Sequence, residues 1–203
     1  MTISLQPAPP APGAAATRRP AALGATEERI LEAALRLIGR RGVKRLGMQE
    51  ISEAAGVSRG TLYRYFPSKL HVLAAAADYD EKRFNIGLDE VLDPVREPTA
   101  RIEVFVAYAF DYIRNHSARS LFESEPEFVL GFLLDHLPKL RATLVTRLGA
   151  ELGSVPAVAR GDLGCDELAD VIVRLFASSW IIPESDDRTL VRSINSILLS
   201  TPR

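Results

Sequence analysis

Apolar residues recur every three to four positions along most of the chain, and this spacing predicts helices. The first stripe runs from Ile30 to Ile38, follows Thr26 as a predicted N-cap residue, and ends at Gly42. No run alternates between apolar and polar residues for long enough to indicate a strand. The pattern therefore predicts an all-α protein.

Further helical segments follow the first one. Their approximate ranges are 48–55, 58–66, 69–93, 99–116, 118–124, 126–135, 138–152, 165–182 and 186–200. Pro126 and Pro138 lack an amide hydrogen, so we expect each to begin a helix rather than lie inside one. Ser68 is predicted to cap the helix after it, and residues 153–164 are predicted to form a loop. This organisation predicts a small helical N-terminal module and a larger helical bundle.

Residues 1–25 differ from the rest because they contain five prolines and eight alanines and have no helical periodicity. Such a composition predicts a disordered tail. Arg18 and Arg19 are its only charged residues. A solvated leader is one interpretation, and a basic arm that reaches toward DNA is the other.

The segment GVSRGTLYRYFPSK, residues 56–69, has the residue types that a helix-turn-helix requires. Gly56 accepts the positive φ of a tight turn, and Ser58 offers a hydroxyl to the free amides of the next helix. Val57 and Leu62 supply apolar contacts between the helices. The segment therefore predicts a turn followed by a recognition helix.

The remaining positions of this helix face outward in the prediction. They are Arg59, Gly60, Thr61, Tyr63, Arg64 and Tyr65. In a major groove an Arg side chain pairs with guanine and a Thr methyl group packs on thymine. Tyrosine hydroxyls and a lysine such as Lys69 suit phosphates. Tyr63 and Tyr65 taken alone also fit ordinary packing, but the turn, the cap and the basic surroundings favour DNA binding.

The charges are distributed unevenly between the two ends of the chain. Residues 17–71 hold 11 basic and five acidic residues, whereas residues 72–203 hold 14 basic and 21 acidic residues. A basic N-terminal third on an acidic body is typical of a protein whose one end meets a polyanion.

The remaining composition indicates a cytoplasmic protein without a membrane partner. Cys165 is the only cysteine, so neither an intrachain disulfide nor a cysteine zinc cluster can form. The most apolar stretch, residues 171–182, is interrupted by Arg174 and is far shorter than a membrane span. The N-terminus does not have the pattern of a signal peptide.

Two strings, ILEAALRLIGRRG and MQEISEAAGVSRGTLYRYFPSKLHVL, resemble the DNA-binding domain of the TetR (tetracycline-repressor) family of bacterial transcriptional regulators. The resemblance implies a three-helix DNA-binding domain at residues 26–72 and an effector-binding and dimerisation domain at 73–203. Matched by position, the residues implied to face DNA are Ser58, Arg59, Thr61, Tyr63, Arg64 and Tyr65, with Lys69 on a phosphate. Gly47 departs from the family pattern, which often has a hydroxyl N-cap there. Glu50 can still accept a hydrogen bond from the Gly47 amide.

The last two predicted helices have wide apolar faces. These faces contain Leu168, Val171, Ile172, Leu175, Phe176, Leu190, Val191, Ile194, Ile197 and Leu198. Wide faces need burial on more than one side, so we expect a homodimer through these helices. Two recognition helices about 34 Å apart would then read a palindromic double-stranded DNA operator.

Aromatic residues of the second half are candidates for lining a ligand pocket. They are Phe105, Tyr108, Tyr112, Phe122, Phe132, His136, Phe176 and Trp180. Such residues are also ordinary core residues, so each has two interpretations. An aromatic lining with few polar groups favours a small hydrophobic effector, and His136 and Trp180 are the candidates able to form polar contacts.

An enzyme is not expected. The three histidines lack metal-binding spacing, Cys165 has no histidine near it in sequence, and no glycine-rich phosphate loop occurs. Acidic pairs such as Asp78 and Asp80 are interpreted as solvated helix faces. No cofactor or metal is predicted. The favoured function is a repressor released from its operator by the effector; the alternatives are an activator or a helical protein-interaction module without ligand-controlled DNA release.

Overall fold

The computed structural model describes residues 24–116, 121–182, 191–194 and 196; the side chains of Phe122, Trp180 and Ile181 are not described. All regular elements in this part of the chain are helices, so the all-α prediction is confirmed. The helices are α1 (Ala25–Arg41), α2 (Met48–Ala55), α3 (Arg59–Tyr65), α4 (Lys69–Leu92), α5 (Pro98–Asn115), α6 (Leu121–Ser124), α7 (Pro126–Gly153), α8 (Pro156–Ala159) and α9 (Cys165–Ile181). Within the same ranges no helix is both long and apolar enough to cross a membrane. Residues 1–23 of the predicted tail lie outside the described residues. Its last residue, Ala25, begins α1 instead.

The predicted N-cap at Thr26 is wrong, and the one at Ser68 is confirmed in position only. Helix α1 begins at Ala25 after Gly24, so Thr26 lies within its first turn and caps nothing. Ser68 holds the N-cap position of α4, but its hydroxyl lies 2.9 Å from His71 Nδ1 and bonds to no backbone amide.

Helix α7 continues through Pro138, where the sequence predicted a helix start, and is interrupted by a kink at Leu148 instead. Pro138 lies inside it, and the backbone departs from helical geometry only at Leu148, where φ is −129°. A proline removes the hydrogen bond to the carbonyl four residues earlier, which belongs to Leu134. Leu134 and Pro138 are both exposed, so water can satisfy that carbonyl and the helix continues.

The predicted loop after α7 contains a short helix. Helix α8 starts with Pro156 at its first position, where the missing amide hydrogen has no intrahelical partner to lose. Gly161 then takes a φ of 78° as the chain leaves the helix. Residues 153–164 are therefore only partly a loop.

The buried apolar residues form two clusters, and α4 contributes to both. Its first half places Val72, Ala76 and Tyr79 against α1, α2 and α3. The second half places Leu88 and Leu92 among residues of α5, α7 and α9. The helix runs without interruption past the predicted domain boundary at 72/73, and that boundary stays a prediction.

The α4–α5 connection is fastened to the end of α7 by one arginine. Arg101 Nε lies 2.5 Å from a carboxylate oxygen of Glu151. Its Nη1 donates to the carbonyls of Leu92 (2.9 Å) and Val95 (3.1 Å), which belong to the end of α4 and the following turn. These bonds hold the far end of the bundle together, away from the helix-turn-helix.

Candidate DNA-binding surface and ligand cavity

The turn between α2 and α3 has the geometry that the sequence predicted. Gly56 adopts φ 62° and ψ 40°, the left-handed conformation that glycine adopts without steric cost. Its amide donates to the Glu53 carbonyl (3.1 Å), and the Val57 amide donates to the Ser52 carbonyl (3.0 Å). The turn thus closes α2 and redirects the chain within three residues.

Ser58 caps α3, as predicted. Its hydroxyl oxygen accepts a hydrogen bond from the Thr61 amide at 3.0 Å. The Thr61 hydroxyl also lies 2.9 Å from the Ser58 hydroxyl. The polar end of Thr61 is therefore engaged within the helix, whereas its methyl group remains available for an apolar contact.

Helix α3 has a buried face and an exposed face. Leu62 and Phe66 are buried, whereas Tyr63 and Tyr65 are 44% and 38% exposed. Positions 58, 59, 60 and 64 are exposed as well, and Thr61 is half-buried. The Arg64 guanidinium lies 5.7 Å from the centre of the Tyr65 ring. The outward set is thus present on one surface, and its role toward DNA stays a prediction.

Lys69 has protein partners in the structure. Its ammonium nitrogen lies 2.5 Å from the Val43 carbonyl and 3.5 Å from the Lys44 carbonyl. These carbonyls belong to the loop between α1 and α2, so Lys69 holds that loop against the start of α4. Its predicted contact with a phosphate stays a prediction.

The Gly47 start of α2 is completed as the sequence suggested. One carboxylate oxygen of Glu50 accepts a hydrogen bond from the Gly47 amide at 3.0 Å. The other oxygen lies 2.6 Å from Arg41 Nη1 at the end of α1. Glu50 therefore supplies half of a capping box and joins the first two helices.

Arg29 is a residue that sequence reasoning missed. Its Nη2 donates to the carbonyls of Ala55 (2.7 Å) and Gly56 (3.0 Å) at the end of α2. A cation at a helix C-terminus also interacts favourably with the helix dipole. Arg29 thus fixes the turn from α1, and its distance of 26 residues from Ala55 gives no signal in the sequence.

Glu125, just before α7, connects the bundle to the DNA-binding module. The residue is buried, and its Oε1 accepts a hydrogen bond from the Lys44 amide at 2.9 Å. A Cβ atom on Gly42, which has a φ of 82°, would lie 2.1 Å from the same oxygen. The close approach therefore depends on glycine at position 42. No local pattern indicates this contact, because the partners are 81 residues apart in the sequence.

A cavity of about 110 Å³ lies among α4, α5, α7 and α9. Its lining residues are Ala77, Asp80, Glu81, Phe84, Asn85, Tyr112, Ile113, Phe132, Leu133, His136, Leu137, Lys139, Leu140, Thr143 and Phe176. Tyr112, Phe132, His136 and Phe176 were among the residues predicted for a pocket. The structure brings these four together, and their contact with a ligand stays a prediction.

Two of the remaining predicted pocket residues, Phe105 and Tyr108, lie outside the cavity lining. Phe105 is buried in the core of the bundle, away from the cavity lining. Tyr108 lies on a groove of about 540 Å³ between α1, α4 and α5, and its hydroxyl donates to the Phe84 carbonyl at 2.9 Å. Phe122 and Trp180 belong to the side chains outside the described part.

Two polar side chains in the cavity wall have incomplete hydrogen bonding. Asn85 Oδ1 is buried and receives no hydrogen bond from any described residue. His136 Nδ1 lies 2.8 Å from the Phe132 carbonyl, and since a carbonyl only accepts, Nδ1 carries the proton. The His136 ring stacks on Phe132 with 3.9 Å between centroids. Sequence reasoning missed Asn85, because nothing around it distinguishes it from an ordinary polar residue of a helix.

Asp80 contradicts its interpretation as part of a solvated acidic face. Its carboxylate accepts a hydrogen bond from the Tyr112 hydroxyl at 2.7 Å and lies 2.9 Å from His116 Nε2. Burial raises the pKa of Asp80, but the hydrogen bond and charge of His116 and the Tyr112 hydroxyl bring it below its ordinary value. Burial, followed by the Asp80 charge, raises the pKa of Tyr112 well above its ordinary value. The three side chains thus form a network between α4 and the end of α5.

A glycine turn, a capped helix with a basic and aromatic outer face, and a helix packed behind both define a helix-turn-helix DNA-binding protein. Residues 30–76 match the sequence profile of the bacterial regulatory proteins of the tetR family. The N-terminal part of the chain therefore carries the DNA-binding domain of the tetR family of bacterial regulatory proteins, and the chain is similar to transcriptional regulators of that family.

Several relatives in actinobacteria are similar in sequence. An uncharacterized HTH-type transcriptional regulator of Mycobacterium tuberculosis is 28% identical over 167 residues, which are 81% of this chain and 80% of the relative. The HTH-type transcriptional repressor KstR of Rhodococcus jostii is 36% identical, over 39% of this chain and 37% of its own length. The HTH-type transcriptional activator FasR of Mycolicibacterium smegmatis is 32% identical, over 47% of this chain and 45% of its own length.

Solved structures share the fold at lower sequence identity. The fatty acid degradation regulator FadR from Bacillus halodurans has a TM-score of 0.64 at 21% identity, over 89% of this chain and 98% of that protein. FadR from Bacillus subtilis in complex with stearoyl-CoA has a TM-score of 0.61 at 17% identity, over 87% and 99%. At these identities the likeness establishes the all-helical fold alone.

Proposed function

We propose that this regulator is a repressor that binds a palindromic operator as a homodimer and is released by a small apolar ligand. The observation that supports it best is helix α3, whose exposed Arg59, Tyr63, Arg64 and Tyr65 stand beside a turn that is fixed by local bonds. An exposed basic and aromatic helix face has the chemistry of a major-groove reader. A regulator that binds chromosomal DNA works in the bacterial cytoplasm.

The proposal divides the outward residues into two groups. Arg59, Arg64 and the Thr61 methyl group read bases, because they project from the exposed side of the short recognition helix. Tyr63 and Tyr65 contact phosphates chiefly, with the Ser58 end of α3 and Lys69 beside them. Lys69 must then share its ammonium between a phosphate and the α1–α2 loop. Gly60, which is exposed, lets the backbone approach the duplex.

Dimerisation is supported by one face of α9. Val171 and Ile182 are 44% and 64% exposed, and Leu175 and Ser178 between them are half-buried. Val171, Leu175 and Ile182 follow helical spacing and form an apolar stripe, interrupted by Ser178, that no described residue covers fully. Leu168, Ile172 and Ile194 of the predicted interface are buried within the chain's own core. Leu190, Ile197 and Leu198 of that interface lie outside the described residues.

The cavity supports a small apolar effector. A volume of about 110 Å³ is of the same order as the ~150 Å³ apolar cavity that holds benzene, so the buried part of the ligand is about the size of one six-membered ring. Stearoyl-CoA, found in the FadR structure, is far larger than this space. Release follows if the ligand binds better to a conformation in which the two recognition helices no longer match the operator.

Two helices connect the cavity with the DNA-binding module. Helix α4 lines the cavity with Phe84 and Asn85 and reaches the module through Lys69. Helix α7 lines it with Phe132 and His136 and follows directly on Glu125, which holds the Lys44 amide. A ligand that displaces either helix therefore acts on the same α1–α2 loop.

The match of higher identity supports repression as the direction of control. KstR, a repressor, is 36% identical over 80 residues of the chain. FasR, an activator, is 32% identical over a longer segment, so activation is the second candidate. The position of the operator relative to the promoter decides between them. A reporter gene downstream of the operator should rise when the regulator is deleted, whereas a fall would assign activation.

Operator binding is tested with the purified full-length chain. Genome-wide footprinting locates the operator, and fluorescence anisotropy then measures its affinity against a scrambled duplex of the same length. We expect about 10³-fold or greater preference for the operator at physiological salt, with a two-fold symmetric footprint. The absence of any footprint at low salt would overturn the DNA-binding proposal. A footprint over a single half-site would leave DNA binding intact and overturn the homodimer.

A further inference from the structure

Two acceptor atoms in the cavity wall receive no hydrogen bond from the described residues, although Lys139 and Thr143 in the same wall carry donors. Asn85 Oδ1 is buried without a donor among the described residues. In neutral His136 the proton lies on Nδ1, so Nε2 is an acceptor, and no described residue pairs with it. Both residues line the same cavity, Asn85 from α4 and His136 from α7.

An unpaired buried acceptor is unfavourable, because it has lost water and gained no protein donor. The surrounding lining residues are mostly apolar, and include Phe84, Phe132, Leu133 and Phe176. A molecule that fills this space with an apolar body and brings one donor satisfies Asn85, whereas a pure hydrocarbon leaves it unpaired. Sites built to bond a hydroxyl reject analogues that lack it for this reason.

We propose that the effector is a small apolar alcohol, phenol or amine whose O–H or N–H group donates to Asn85 Oδ1. This inference rests on the proposed ligand-controlled function and specifies the chemistry of its ligand. In the tautomer that bonds to the Phe132 carbonyl through Nδ1, His136 Nε2 is a second acceptor, so a ligand with two donors meets two partners. Helices α4 and α7, which supply these acceptors, are the helices that reach the α1–α2 loop.

The test compares two probes of nearly equal shape, p-cresol and p-xylene, in which a hydroxyl replaces a methyl group. Dissociation constants are measured by calorimetry on the full chain, for the wild type and for Asn85→Leu. We expect the ratio of the p-xylene to the p-cresol dissociation constant to fall about ten-fold or more in Asn85→Leu. The same substitution at Asn115, an exposed residue outside the cavity lining, should leave the ratio unchanged.

Thermal unfolding in the absence of a probe tests whether Asn85 stabilises the fold rather than binding the ligand. Removal of an unpaired buried acceptor should leave the melting temperature of Asn85→Leu equal to or above that of the wild type. If Asn85→Leu does not fold, Asn85→Ala supplies the same comparison of the two probes.

An equal ratio in wild type and Asn85→Leu would overturn the proposal, as would the absence of binding of both probes at millimolar concentration. A ratio that changes in His136→Phe but not in Asn85→Leu would likewise overturn the assignment to Asn85. Operator affinity in the presence of p-cresol is measured separately. Selective binding without any effect on the operator would leave the donor inference intact and would count against ligand-controlled release.

Discussion

The recognition helix and the ligand cavity are the two candidate functional regions, and they are built in opposite ways. The helix-turn-helix is fixed mainly by bonds within five residues, such as Ser58 to Thr61 and Val57 to Ser52, and Arg29 adds long-range bonds from α1. The cavity is assembled from helices whose lining residues extend from Ala77 to Phe176. The first region presents its polar groups to solvent, and the second places its acceptors in an apolar wall. A surface that local hydrogen bonds hold in place can be predicted from the sequence, whereas a cavity depends on packing between distant segments.

The comparison predicts that a substitution at a long-range contact lowers the free energy of unfolding more than one at a local turn. Substitutions of two glycines test this prediction. Gly42 has φ 82° and ψ 169°, a region that is open essentially to glycine alone, and it lies against Glu125. We expect Gly42→Ala to lower the free energy of unfolding by about 3 kcal/mol, from strain and from loss of the Glu125–Lys44 bond. Gly56→Ala, at a left-handed turn position, should lower it by only about 1 kcal/mol. Urea unfolding measures both.

The contribution of Glu125 to this difference is separable. In a Glu125→Ala background the Gly42→Ala substitution meets no carboxylate, so its additional effect should shrink by about 1 kcal/mol. Strict additivity of the two substitutions would show that the carboxylate does not influence position 42.

Substitutions on the outward face of α3 should have the opposite effect to those at Gly42. They should weaken DNA binding and leave the stability of the fold unchanged. We expect Arg64→Ala to weaken operator binding by about 1–3 kcal/mol and to leave the melting temperature unchanged, because Arg64 is exposed. Arg96→Ala, which removes an exposed arginine of the loop between α4 and α5, is the matched control. Anisotropy with operator and scrambled duplexes is the measurement. An equal loss on both duplexes would assign Arg64 to a phosphate rather than to a base.

The Asp80 network tests whether the cavity side of the bundle is stabilised by a buried charge. Because the folded-state pKa of Asp80 lies below its unfolded value, its contribution is present above about pH 4 and is lost as the pH falls through the folded pKa. We expect Asp80→Asn to lower the free energy of unfolding by roughly 1–2 kcal/mol at pH 7. The difference between the two proteins should shrink below about pH 4. A difference that does not depend on pH would refute an electrostatic origin.

The smallest effect is expected at the cap of the recognition helix. Ser58→Ala removes the acceptor of the Thr61 amide and should lower stability by about 1 kcal/mol. Ser58→Thr keeps a hydroxyl and should lose less than half of that. Thermal unfolding distinguishes the two, and equal losses would show that the hydroxyl is not the stabilising group.

Sequence reasoning succeeded where the determinant and its partner are neighbours. The turn at Gly56, the cap by Ser58 and the Glu50 bond to Gly47 involve partners at most five residues away. Pro138 misled it, since a proline signals a helix start only if the carbonyl it leaves unpaired cannot reach water. Local sequence preferences therefore predict which helices form better than they predict where each helix begins and ends.

The cavity could be predicted only in part. Four of its aromatic or histidine residues were identified because such residues pack inside helical bundles. Asn85, Arg29 and Glu125 were not, because their importance comes from an orphaned atom or from a partner 26 to 81 residues away. Nothing in the composition around a residue encodes a contact of that range.

The Glu125 contact also bears on how the two halves could be exchanged with those of other regulators. A chimera that joins residues up to about 72 to a foreign bundle keeps Gly42 and Lys44 but loses the carboxylate that the Lys44 amide requires. Such a hybrid would keep an intact recognition helix, but its α1–α2 loop would lack the hydrogen bond from the Lys44 amide to Glu125. The transferable DNA-reading unit is therefore not a continuous piece of chain: it comprises the N-terminal helices together with a glutamate that precedes α7.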